Sequence, residues 1–177
     1  MRKFMLLLSL VALAAPIAAF ASAPPTPTQT ANAMCAADKA TLGTAFVTTY
    51  ATNASKSNAW GKCVSSHAKA ANNAVNNASK SCKAQLADAN FAAAHGGKTF
   101  AQFYGSTTNG KGSPQNAMGK CVSLAVQSAV AAQAKASTSA LKWCKAALKT
   151  DKTAFALLYG SGRDALGKCV STKSNTK

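Results

Sequence analysis

The chain has 177 residues, with 20 Lys+Arg against 4 Asp+Glu and a formal net charge of +16. It has no glutamate, four scattered aspartates (Asp38, Asp88, Asp151, Asp164) and two histidines (His67, His95). That composition lacks the paired carboxylates of acid–base catalysis and the clustered ligands of a metal or cofactor site. Six cysteines without a C-x-x-C pair read instead as three disulfides in an exported chain.

In chain order, residues 1–21 read as a signal peptide. Arg2 and Lys3 precede the apolar run Phe4–Phe20, and "AFA" at Ala19–Ala21 offers small residues to a signal peptidase. Pro16 interrupts the run before it reaches the roughly 20 apolar residues of a spanning helix, and no later segment is apolar enough to span a bilayer. Removing Arg2 and Lys3 leaves 18 cations against 4 acids, or +14, and of the 18 only Arg163 is not lysine. "SAPPTPTQT" begins a proline-rich tether over residues 22–31, and the folded domain is expected over 32–177.

That domain is built of three related units, at 33–66, 81–124 and 143–172. Each begins at a cysteine (Cys35, Cys82, Cys144). Each continues to a phenylalanine and a tyrosine four residues apart: Phe46/Tyr50, Phe100/Tyr104, Phe155/Tyr159. Each closes on a block reading "NAWGKCVS", "NAMGKCVS" or "DALGKCVS". Phe and Tyr at this spacing share one helix face. Gly105 and Gly160 follow the tyrosine where a left-handed residue ends a helix. Asn58, Asn116 and Asp164 stand where a side chain caps the start of the next helix.

Between the units, Ser65–Ser81 and Ser123–Lys142 contain no glycine or proline and read as long Ala-rich helices. In the first, Val64, Ala68, Ala71, Val75, Ala78 and Cys82 form a narrow apolar stripe. In the second, Val122, Val126, Ala129, Ala136 and Ala140 do so, with Gln133 as an interruption. No segment alternates as a strand does, so the fold class is all-α: three disulfide-linked helical units joined by two long helices.

Six cysteines allow 15 connectivities. The repeat argues for pairing within units, Cys35–Cys63, Cys82–Cys121 and Cys144–Cys169. A Cys63–Cys82 bridge fails if one helix carries both, because 19 residues at about 1.5 Å each span near 28 Å.

The F-x-x-x-Y-G…N-A-x-G-K-C-V-S unit resembles a repeat of exported bacterial proteins whose closing block often reads NAFGKCVS. Unit two resembles it best, over "FAAAHGGKTFAQFYG" (Phe91–Gly105); unit one lacks the glycine after Tyr50. The resemblance implies export and a repeated helical unit, and no activity is attached to it.

Among chemistries, a Cys–His nucleophile would need a free thiol, and both histidines read as surface residues. No G-x-S-x-G, phosphate loop or H-E-x-x-H occurs. The block lysines Lys62, Lys120 and Lys168 are the candidate ligand residues. A cation at a helix start is electrostatically misplaced, although a stem covering the unit's aromatic would account for each one without a ligand. The expected protein is not an enzyme. It is an exported, secreted or envelope protein that binds anionic cell-wall polymer, acidic polysaccharide or extracellular DNA non-specifically. Near-absence of arginine argues against base readout. The long helices lack the apolar face that disrupts a membrane. A structural or protein-interaction module is the alternative, and a small hydrolase is the third reading.

Overall fold

A computed structural model describes residues 23–105, 114–162 and 164–175. The span 1–21 expected as a signal peptide, most of the "TTNGKGSP" loop and Arg163 lie outside the described residues.

Eight helices occur among the described residues, and no strand. Helix α1 (Pro27–Leu42) starts inside the span expected as an extended tether. Pro27 occupies the first helical turn, where its missing N–H is no loss. Thr26 and Gln29 close a capping box, each side chain bonded to the other's backbone amide. Helix α2 (Ala45–Tyr50) carries the first Phe–Tyr pair, and α3 (Ala59–Ala87) is the first long helix. Helices α4 (Phe91–Ala94) and α5 (Phe100–Tyr104) belong to unit two. Helix α6 (Pro114–Thr150) is the second long helix, followed by α7 (Lys152–Tyr159) and α8 (Ala165–Asn175).

The three disulfides are Cys35–Cys63, Cys82–Cys121 and Cys144–Cys169, with Cα separations of 5.9, 6.0 and 6.0 Å. Each closes one unit. Cys63 and Cys82 share α3, and Cys121 and Cys144 share α6, so the long helices carry the chain from one unit to the next.

Helices α3 and α6 run antiparallel. The start of α3 (Ala59, Cys63) meets the end of α6 (Ala140, Cys144) in a core that also holds Phe46, Tyr50 and Phe155. The end of α3 (Ala78, Cys82) meets the start of α6 (Ala117, Cys121, Val126) around Phe91 and Phe100. Units one and three therefore share one core, and unit two has its own at the far end. Helix α1 lies against both long helices, and Ala31, Met34 and Ala71 join them midway. Alanine at that midpoint allows the helices to approach closely while burying little apolar area per residue.

Several local readings are corrected. The buried face of α3 runs through Ala59, Cys63, His67, Ala71, Ala78 and Cys82, whereas Ala68 is exposed. The Asn58 side chain does not cap α3. It accepts from the Thr52 N–H and donates to Thr52 Oγ1, pinning the loop before the helix. In unit two the helix begins at Pro114, so Asn116 lies within it rather than before it. Gly105 ends α5 at φ −68°, which any residue adopts, whereas Gly160 ends α7 at φ 90°.

Candidate functional site

The three block lysines do not converge. Lys62 and Lys168 are exposed near the starts of α3 and α8, at the end where units one and three meet. Lys120 is half-buried near the start of α6, at the opposite end. Roughly 19 residues of helix separate the two ends, close to 28 Å at about 1.5 Å per residue. What the lysines share is the lack of a counter-ion. No described lysine pairs with a carboxylate, and the one basic side chain within 4 Å of a carboxylate among the described residues is His67, against Asp38. Asp88 Oδ1 accepts from the Asn90 N–H, and Asp151 Oδ1 from the Ala154 N–H, so both acids serve backbone turns.

The convergent polar cluster is elsewhere, and its residues come from four helices. Asp38 on α1 and His67 on α3 are both 0% exposed; Tyr50 on α2 and Ser137 on α6 are buried beside them. Tyr50 Oη donates to Asp38 Oδ2 at 2.5 Å, His67 Nε2 lies 2.8 Å from the same oxygen, and Ser137 Oγ donates to Asp38 Oδ1 at 2.7 Å. Tyr50 Oη also lies 3.2 Å from His67 Nε2. The Nε2–H tautomer of His67 satisfies Asp38 and leaves Nδ1, which has no partner, with only a lone pair unmatched. Burial, then the Asp38 charge, then the hydrogen bond to it push the Tyr50 phenol far above its ordinary value.

His67, expected as a surface residue, is fully buried instead. The available signal was its spacing of four from Cys63, which puts the two on one face of α3. For Ser137 the signal was Gln133. The interruption of the apolar stripe donates toward Ser137 Oγ at 3.4 Å. His95 is also less exposed than expected. Its ring stacks on Phe91 at 3.8 Å, and its Nδ1 is 2.8 Å from the Phe91 carbonyl.

Asp, His, Tyr and Ser in contact could in principle move protons, but with all four side chains buried a substrate atom has no approach to them. The hollow between α6 and α7 contains none of the four. Cys35, Cys63 and His67 bring ligand-type atoms within 4.8 Å of one another. The two sulfurs are bonded to each other, however, and offer no thiolate to a metal. The cluster is a polar joint: one carboxylate held by three helices besides its own. Compared with known protein families, curated proteins and solved structures, the chain matches none.

Proposed function

We propose that this is a non-catalytic, exported cationic protein that binds anionic polymers of the envelope or extracellular space. The observation that carries the reading is the unpaired lysine surface. Of four acids, one is consumed in the interior by His67, Tyr50 and Ser137, and two serve backbone turns. The positive charge is thus left facing solvent, where it attracts polyanions at low ionic strength. Burial of the Asp–His–Tyr–Ser cluster supports the non-catalytic part. Three disulfides and the absence of a membrane-crossing helix among the described residues are compatible with an extracellular setting.

Because Lys62, Lys120 and Lys168 lie at both ends of the long helices, binding through them would require an extended ligand rather than a small anion. Replacing the three with glutamine tests their share. Compared with a control replacing the exposed Lys69, Lys83 and Lys135, the block variant should weaken DNA or acidic-polysaccharide binding more, measured by fluorescence anisotropy at low salt. Equal losses would assign binding to overall charge, and no loss in either would contradict the reading. The alternative, a protein-interaction module, is favoured by one observation: Leu157 and Leu158 are exposed.

A further inference from the structure

The Phe-x-x-x-Tyr helix occurs three times, and its two residues before the tyrosine meet different surroundings each time. In unit one they are Thr48 and Thr49, and α8 packs directly on them through Gly167. In unit two they are Gln102, which closes a capping box with Thr99, and Phe103, which packs edge-on against Phe91 and His95. In unit three they are Leu157 and Leu158, and nothing covers them: they are 84% and 73% exposed. Phe103 is itself 46% exposed, so the leucine copy is the most open of the three rather than the one open copy.

The apolar surface extends beyond the two leucines. Leu158 continues into the shallow hollow between α6 and α7, whose walls include Trp143, Ala147, Ala154 and Tyr159. Trp143 is 47% exposed. Asp151 also borders the hollow, with its Oδ1 turned to the Ala154 amide. The rim is cationic. Lys173 Nζ sits 4.3 Å from the Trp143 ring centroid, Lys168 Nζ reaches the Gly160 end of α7, and Lys152 begins that helix.

We propose that this face, Trp143–Leu157–Leu158 with its lysine rim, docks on an anionic lipid surface. The argument is charge complementarity joined to an uncovered apolar centre. Lysines bind headgroup phosphates, two leucines enter the acyl boundary, and an indole half in and half out suits the interface between them. A second copy of the chain is disfavoured as occupant, because two molecules of about +14 repel. The inference concerns peripheral docking by α7, not insertion of the long Ala-rich helices, and it does not require the polymer reading to hold.

The test uses oxidised protein and flotation with vesicles of phosphatidylcholine alone or mixed with phosphatidylglycerol. The wild type should float with the anionic vesicles and not with the neutral ones. Its tryptophan emission should shift to shorter wavelength on binding, and the shift should vanish in Trp143→Phe. Leu157→Ser/Leu158→Ser should weaken vesicle binding about tenfold or more, yet elute unchanged from an immobilised polyanion. Three results would overturn the proposal: no flotation of the wild type, equal vesicle binding by the leucine variant, or a vesicle-free dimer that depends on the leucines. Loss of polyanion retention with vesicle binding intact would instead count against the polymer reading alone.

Discussion

Asp38 is the residue on which α1, α2, α3 and α6 meet. Its carboxylate is fully buried and contacts Tyr50, His67 and Ser137. Replacing it with alanine strands three buried polar groups at once. A buried donor left without its acceptor costs about 1–3 kcal/mol, so Asp38→Ala, which strands three, should destabilise by about 3 kcal/mol or more in urea unfolding, far more than a surface Asp88→Ala. Tyr50 adds a pH signature. Its phenol pKa is raised in the folded state, while in the unfolded chain it sits near 10.0. Above the unfolded value the folded state holds a proton that the unfolded state has released. This stabilisation is therefore complete below pH 10 and lost as pH rises toward the folded pKa, by up to ~1.4 kcal/mol per pH unit. Tyr50→Phe should flatten the fall in unfolding free energy above pH 10; an unchanged slope would remove Tyr50 as its source. Little of this cluster was legible beforehand. A buried Asp in a helix interior resembles a surface Asp until its partners are known, and those partners lie up to 99 positions away in sequence.

At the scale of elements, the repeated block has one sequence and more than one role. Gly167 lies against the backbone of α2: a Cβ there would come within 2.3 Å of the Thr48 carbonyl oxygen. Gly61, its counterpart in unit one, faces open space. Gly167→Ala should therefore destabilise by about 1–3 kcal/mol through overpacking. Gly61→Ala should stabilise by up to ~1 kcal/mol, because alanine is the better helix former. Thermal melts of the two variants shifting in the same direction would contradict this account. The helices themselves were readable because glycine-free, alanine-rich runs leave few alternatives. The buried face of α3 was misjudged at its start because alanine is a weak marker: exposed Ala68 and buried Ala71 look alike, whereas the Cys63–His67 pair defined the face. Trp60, the large apolar residue of the first block, is 40% exposed, with its Nε1–H donating to Asn32 Oδ1.

At the scale of the whole molecule, the disulfide framework was legible because the grammar repeats. Two cysteines fall in each unit, and a rigid helix holds the consecutive cysteines of neighbouring units apart. Which units share a core was not, since the union of units one and three depends on the close approach of α8 to α2 at Gly167. The bridges constrain a thin core built largely from alanine, with aromatics gathered at the two ends. Around that scaffold no described lysine finds a carboxylate, and the positive charge stands as the dominant surface property. The central claim is that this charge binds polyanions. Its most direct test is retention of the oxidised protein on immobilised DNA or acidic polysaccharide as salt is raised. The account predicts strong retention at low salt and an affinity for DNA that falls linearly in log–log form, with a slope proportional to the number of phosphates neutralised. Passage through the column at low salt, or retention indifferent to salt, would contradict it.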